Sequence, residues 1–172
     1  TVEDKLKGLG LVVPSLEDLY RTNASGAHYI SHFPVQGMLH LSGTVPIKDG
    51  KLYLPGVLGE NLTIEQGYEA ARYAALTTLA VVKYALGDLD RVQQIVHMTG
   101  FVNSAPGFND QPRVINGAAD LLVEIYGDRG KPTRAAIGCR GLGGNASVEI
   151  IVQLLFSGAD VRPPLARDHF AK

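Results

Sequence analysis

The stretch GKPTRAAIGCRGLGGNASVEIIVQLLF, residues 130–156, contains two apolar, β-prone runs separated by a glycine-rich loop. Short apolar runs bounded by glycine and proline predict strands, so this stretch predicts the last two strands of a sheet. Each run carries one charge at a position that an apolar side chain could occupy: Arg134 in TRAAIGC and Glu149 in SVEIIVQLLF. The alternation of apolar and polar residues is explained if both charged side chains lie on a solvent-exposed sheet face or at a strand edge. A binding or catalytic role is the alternative interpretation.

Two helices are predicted upstream of this stretch. Apolar residues recur every three or four positions across residues 64–86, which is typical of one face of a helix of about six turns. Thr63 opens a capping-box pattern at its start, and Gly87 is suited to end it. Asp110 is placed to cap a second helix, which Gly127 would end.

The remaining apolar segments predict strands. Residues 27–56 are interpreted as strands broken by turns, and the Asp49-Gly50 pair is a strong hairpin signal. Residues 90–104 predict one further strand. The resulting order of strands, long helix, strand, helix and two strands favours an α+β fold with both helices on one face of a sheet. Residues 148–156 are too apolar for the other face to meet water, so we expect that face to associate in a symmetric homo-oligomer.

Composition limits the classes of protein. A chain of 172 residues is most simply one domain and is long enough to bury a core. The net charge of −1 gives no electrostatic argument for binding nucleic acid or an anionic membrane. No apolar run approaches the length of a membrane span, and the N-terminal residues do not have the pattern of a secretion signal. The single cysteine, Cys139, fits a reducing compartment, so the expected location is the cytoplasm.

Three familiar kinds of site are not supported. The glycines of residues 138–144 precede a predicted strand, whereas a dinucleotide-binding loop must lead into a helix. The five histidines lack the spacing of a metal site, and Cys139 is interpreted as a packed small residue. Ser42 is not in a G-x-S-x-G elbow, so a hydrolase triad is not indicated.

Arg134 and Glu149 could together serve a small acidic substrate. A guanidinium binds a planar carboxylate through two parallel hydrogen bonds. Glu149 could orient or activate a water molecule or shuttle a proton. The ordinary pKa of a glutamate leaves it ionised at neutral pH, so a role as base requires no special environment, whereas a role as acid does.

Several segments, in their order and spacing, resemble one known family. They are HLSGTVPIKDGKL, GDLDRVQQIVHMTGFVNSAPGFND, VINGAADLL, and the pair TRAAIGC and SVEI, whose arginine and glutamate are fifteen positions apart. Residues 25–157 resemble the RidA (YjgF) family, the reactive intermediate deaminases, and in particular its longer branch. The resemblance implies an α+β, chorismate-mutase-like (RidA-like) mixed β-sheet with two helices packed on one face, assembled as a homotrimer. Residues 1–24 would then be an N-terminal helical extension and residues 158–172 an irregular C-terminal tail.

The resemblance also implies an arrangement of strands and a site. The last strand would insert away from its predecessor, so that Arg134 and Glu149 meet around a cleft shared with a neighbouring subunit. Arg134 would bind the substrate carboxylate and Glu149 would position the attacking water. The other residues matched to the family's site are Tyr29 as a catalytic residue, and Ser42, Gly43, Asn116 and the main-chain N–H near Ala136 for substrate binding.

The chemistry implied is hydrolysis of a 2-enamino acid, through its 2-imino tautomer, to a 2-keto acid and ammonia. No metal or organic cofactor is needed, because an imine carbon is already electrophilic. The chain departs from the family pattern at Thr44, which replaces a glutamine, and at Thr77-Thr78, which replace an asparagine on the long helix. Arg140 and the loop after it, residues 141–145, replace a typical turn.

Other functions are compatible with the same residues. A non-catalytic trimer that binds small carboxylic acids would use Arg134 but would not require Glu149. Deamination of a ring-cleavage enamine would fit an altered loop. Cleavage of RNA, ascribed to some members of the family, is disfavoured by the charge of −1 and the scattered histidines. The expected partners are therefore a small carboxylate-bearing substrate and two further copies of the chain, with no nucleic acid and no membrane.

Overall fold

The computed structural model describes residues 1–171. Four α-helices and seven strands account for its regular structure, together with short 3-10 turns. In chain order they are α1 (Val2–Gly8), α2 (Leu16–Thr22), β1 (His32–Val35), β2 (Met38–Leu41), β3 (Ile47–Lys48), β4 (Lys51–Leu52), α3 (Ile64–Leu86), β5 (Val92–Asn103), α4 (Gln111–Tyr126), β6 (Thr133–Cys139) and β7 (Val148–Phe156).

The main sheet has five strands in the order β1-β2-β7-β5-β6. The pair β5–β6 is parallel and the other three pairs are antiparallel, which confirms the mixed sheet. The last strand lies between β2 and β5 and does not pair with β6, as the family resemblance predicted. The glycine-rich loop therefore crosses over the end of β5, with Gly144 in a left-handed conformation at φ 65°. The small sheet β3–β4 closes through Asp49 and Gly50, both at positive φ, as the D-G signal predicted.

The ends of the two long helices follow the local sequence. Thr63 accepts a hydrogen bond from the main-chain N–H of Gln66, whose side chain in turn accepts one from the N–H of Thr63, which is the predicted capping box. Gly87 ends α3 at φ 77°. Asp110 is the N-cap residue of α4, but its side chain makes no capping hydrogen bond, so only the position of this cap was predicted correctly.

Helices α3 and α4 pack against each other and cover one face of the sheet. Alternate residues of β7 on that face are fully buried: Val148, Ile150, Val152 and Leu154. The two helices approach closely at Gly117, where a Cβ atom would overlap the main-chain carbonyl oxygen of Tyr68. A main chain cannot move aside as a flexible side chain can, so any larger residue at this position would have to push the two helices apart.

Replacing Gly117 with alanine is expected to lower the free energy of unfolding by about 1–3 kcal/mol, because the added methyl group forces α3 and α4 apart. Urea unfolding followed by circular dichroism, at matched protein concentration, measures the loss. Gly8→Ala is the matched control, since a Cβ at this helical glycine meets no atom within 4 Å. Equal stability of the two variants would contradict the close approach.

The opposite face of the sheet carries apolar side chains that the chain itself does not cover. Phe33 is 58% exposed, and three further side chains of this face are also exposed: Val35, Ile137 and Leu155. Glu149 alternates with the buried residues of β7 and therefore lies on this uncovered face. None of the described helices has the length and apolarity needed to cross a bilayer.

The C-terminal residues are held against the segment that precedes β1. The N–H of Ser31 donates to the carbonyl of Leu165 (3.0 Å), and the N–H of Arg167 donates to the carbonyl of Tyr29 (2.9 Å). A 3-10 turn, Arg167–Phe170, follows this contact. Residues 29–31 are thus engaged by the tail, and the first strand begins at His32 and not at residue 27 as predicted.

Candidate functional site

A cavity of about 490 Å³ lies between α2, the segment that follows β2, the beginning of β7 and the C-terminal turn. Its volume is within the range of pockets that enclose a small organic ligand. Gly43, which adjoins Ser42, lines the cavity together with polar or charged side chains that could contact a ligand, among them Tyr20, Tyr29, Ser42, Glu149 and Arg167.

The wall formed by Ser42 and Gly43 results from an irregularity in the sheet. His40 pairs with Gln153, but Thr44 pairs with Ile150, so three residues of one strand face two of the other. Such a bulge redirects side chains and is common beside functional sites. Here the hydroxyl of Ser42 donates to the carbonyl of Ile30 (2.6 Å), which leaves its oxygen free only as an acceptor.

Glu149 is the acidic group of the cavity. Its carboxylate is half-buried, and no residue among 1–171 donates a hydrogen bond to it. Burial raises the pKa of Glu149 above its ordinary value of 4.5. Gly43 packs directly against it, since a Cβ at Gly43 would lie 3.0 Å from Cδ and Oε1 of Glu149. A carboxylate that is desolvated, unpaired and held in place is suited to exchanging a proton with a bound water molecule.

Two departures from the family pattern contact each other. The hydroxyl groups of Thr44 and Thr78 are 2.7 Å apart, and both lie within hydrogen-bond distance of the carbonyl of Ala74. Thr44 and Thr78 are buried, so together they tie the segment that follows β2 to α3. Thr77, the residue before Thr78 on α3, lines the cavity.

Arg134 lies away from this cavity within one chain. Its Nη1 donates to Oδ1 of Asn116 on α4 (2.8 Å) and its Nη2 is 3.4 Å from the carbonyl of Pro112. Arg134 pairs with Met98 on the helix-covered face, whereas Glu149 lies on the uncovered face, and β5 separates their strands. Ala136 lies two residues further along β6. The structure thus places Arg134, Asn116 and Ala136 in one group, and Tyr29, Ser42, Gly43 and Glu149 in another.

Sequence reasoning missed Arg167. Its guanidinium carbon lies 4.4 Å from the centre of the Tyr20 ring, and its Nε is buried without a hydrogen-bond partner among the described residues. Tyr20 is itself buried, which raises the pKa of its hydroxyl to about 12. Arg167 follows two prolines in a segment without periodicity, so no local signal marked it.

The histidines occupy separate places. His97 bonds to Thr133 (2.8 Å) on the sheet, His32 to the carbonyl of Arg162 (2.9 Å), and His28 to Asp168 (3.0 Å). Among residues 1–171, one set of carboxylates has oxygens within 4.8 Å of one another: Glu3, Asp88 and Asp90. None of these three residues lines the cavity.

Comparisons with known proteins agree with this fold. Residues 9–153 match the family model described as "YjgF/chorismate_mutase-like, putative endoribonuclease". The Trypanosoma cruzi protein TCP17 is 37% identical over 150 residues, which cover 87% of this chain and 90% of that protein. The crystal structure of the Agrobacterium tumefaciens protein Atu1372, of unknown function, has 34% identity and a TM-score of 0.81, and the match covers 91% and 94% of the two chains.

The fold extends to a more distant structure. RidA from an Antarctic Psychrobacter species has 19% identity and a TM-score of 0.54, with 77% of this chain and 92% of that chain covered. The mixed sheet, the two covering helices, the inserted β7 and the family match over most of the chain lead to one conclusion. The chain belongs to the YjgF/RidA family and has its chorismate-mutase-like fold.

Proposed function

We propose that the protein hydrolyses a 2-imino (2-enamino) carboxylic acid to a 2-keto acid and ammonia, at clefts between the subunits of a homotrimer. The observation that carries the proposal is Glu149: a half-buried carboxylate without a partner in the described chain, facing a cavity of about 490 Å³. A cavity of this size accommodates a small acid and a water molecule.

The reaction requires one general base and a group that binds and orients the substrate. The enamine tautomerises to the imine, and water attacks C2 while Glu149 takes a proton from the water and passes it to the imine nitrogen. The product is a neutral carbinolamine. Glu149 then carries the hydroxyl proton of the carbinolamine to its nitrogen, so that the C–N bond breaks, ammonia leaves and the C2–O bond becomes the carbonyl of the keto acid. Glu149 is then ionised again for the next turnover.

Arg134 of a neighbouring subunit would hold the substrate carboxylate. Asn116 already fixes the orientation of its guanidinium, and the group remains exposed with donors to spare. A preoriented guanidinium loses less side-chain entropy when it binds a planar carboxylate. The uncovered apolar face that carries Glu149 supplies a surface for association, and docking there would bring a second chain to the cavity.

Binding without catalysis is the second candidate. The hydroxyl groups of Thr44, Thr77 and Thr78 are all engaged in hydrogen bonds within the chain, so the positions of the family's polar glutamine and asparagine offer no free donor to a substrate. A site that has lost polar contacts could retain a carboxylic acid and not turn it over. RNA cleavage, named in the description of the family, is disfavoured by the net charge of −1.

The protein is expected to accelerate ammonia release from 2-aminoacrylate generated in situ, in proportion to its concentration and above the rate in buffer. Ammonia and keto acid should form in equal amounts, because one water is consumed for each nitrogen released. Coupled assays for both products measure this. If the protein is inert on 2-aminoacrylate and on bulkier 2-imino acids but binds 2-keto acids by calorimetry, the function is binding.

A further inference from the structure

The cavity contains a cation that the proposed reaction does not use. Arg167 lines the same cavity as Glu149. Its Nε is buried and has no hydrogen-bond partner, and the guanidinium forms no ion pair with any residue of the described chain. A buried donor without an acceptor is costly, and more so when the group is charged. An acceptor supplied by a ligand would remove that cost.

The backbone and an aromatic ring hold Arg167 in this position. Its N–H donates to the carbonyl of Tyr29, and the neighbouring residue Ala166 forms a β-bridge with Ile30. The guanidinium stacks on the ring of Tyr20, 4.4 Å from its centre, and Tyr20 is only 9% exposed. Arg167 is therefore a preoriented group and not a long side chain free in solvent.

The two charges of the cavity do not neutralise each other. Arg167 and Glu149 belong to different walls, the C-terminal turn and β7, and their charged atoms are further apart than an ion pair allows. A ligand lying between them would have its reacting carbon beside Glu149 and an anionic group beside Arg167. Arg134 is on the other face of the sheet, so within one chain Arg134 and Arg167 cannot contact the same group of a ligand.

We propose that Arg167 binds a second acidic group, so that the substrates are 2-imino acids with a carboxylate in the side chain. This inference rests on the proposed function for the reaction itself. The C1 carboxylate would bind Arg134 of the neighbouring subunit, and the side-chain carboxylate would bind Arg167. Specificity then depends on the C-terminal turn, which lies beyond the residues 9–153 that match the family.

Arg167→Met tests the inference, because methionine retains the apolar stem and removes the charge. We expect the wild type to prefer 2-iminoglutarate to 2-iminopropanoate. The variant should lose about 10- to 100-fold in kcat/KM for 2-iminoglutarate and change less than about twofold for 2-iminopropanoate. The matched control is Arg21→Met: Arg21 also stacks on an aromatic ring, that of Phe170 at 5.5 Å, but does not line the cavity.

An equal loss on both substrates would assign Arg167 to the C1 carboxylate or to structure, and no loss on either would exclude it from the site. Either result overturns the inference.

Calorimetry with 2-ketoglutarate and 2-ketobutyrate distinguishes failure of this inference from failure of the proposed function. If no imino acid is hydrolysed but 2-ketoglutarate binds more tightly than 2-ketobutyrate and only in the presence of Arg167, the second anion site stands and the reaction fails. If hydrolysis occurs without dependence on Arg167, the reaction stands and the second anion site fails.

Discussion

Glutamine in place of Glu149 is expected to lower kcat for imine hydrolysis by about 100- to 10,000-fold while the protein remains folded and assembled. Glutamine has nearly the same shape but cannot take a proton from water. The wild type should also lose activity as the pH falls through the pKa of Glu149, which burial places above the ordinary value of 4.5. The acid limb of the pH profile should therefore lie above the pH at which an exposed glutamate titrates, and the variant should have no such limb.

Glu149→Gln should lower activity but raise the free energy of unfolding at neutral pH. A carboxyl whose pKa is higher in the folded state binds its proton more tightly when folded, so stability falls as pH rises through the window between the two pKa values. The cost persists at neutral pH and is absent at pH values below the ordinary pKa. Glu149→Gln removes this cost, so the variant should gain stability relative to the wild type at pH 7 but not at pH 4.

Initial rates of ammonia release and urea unfolding at both pH values measure these effects. Glu60→Gln is the control, since Glu60 is exposed in the turn before α3 and should leave both quantities unchanged. A Glu149→Gln variant with wild-type activity would remove the proposed base. A loss of activity together with a loss of stability at pH 7 would indicate damage to the fold and contradict the assignment of Glu149 as a desolvated acid.

Mixed trimers should recover activity that neither parent has. Arg134→Ala and Glu149→Gln are each expected to be inactive alone, because every site lacks one of the two groups. In one chain these residues lie on opposite faces of the sheet with β5 between them, so the proposed site would take Arg134 from one subunit and Glu149 from its neighbour. In a cyclic trimer that contains both variants, one of the three interfaces has Arg134 from one subunit and Glu149 from its neighbour. Mixed trimers free of either parent should therefore reach about a third of wild-type activity.

Subunits carrying two different affinity tags, coexpressed and purified over both, provide the mixed trimers. Trimers of each variant taken through the same procedure are the controls. Inactive mixed trimers would show that the two residues do not act across an interface. Full activity of Arg134→Ala alone would exclude its proposed role in binding the carboxylate, whatever the state of assembly.

Local chemistry made most of the fold predictable. The capping box at Thr63, the left-handed Gly87 and the Asp49-Gly50 turn are decided by a few neighbouring residues, and all three are found in the structure. The position of β7 is a different case. The glycines of residues 141–145 permit a tight hairpin as readily as a wide crossing, and only the family resemblance favoured the crossing. Strand order depends on long-range packing, which no short stretch encodes by itself.

The site was predictable only in part. Glu149 stood out because a charge interrupts an apolar strand, and the structure places it in a cavity. Arg167 gave no signal, since its place in the cavity arises from the contacts of the tail with Tyr20 and Tyr29, residues far away in sequence. Periodicity describes residues that are neighbours along a strand or helix. The residues of a cavity come from distant parts of the sequence, so periodicity does not identify them.

The central position of β7 has a consequence for how the protein is made. During synthesis β2 and β5 leave the ribosome long before β7, which lies between them in the finished sheet. Until residue 156 is available, the nascent chain has two partial sheets with unpaired edges, and each exposes an apolar face. We therefore expect the sheet to form in one late step once β7 is available. Chains interrupted before β7 should accumulate as aggregates or be degraded, with no stable half-domain among them.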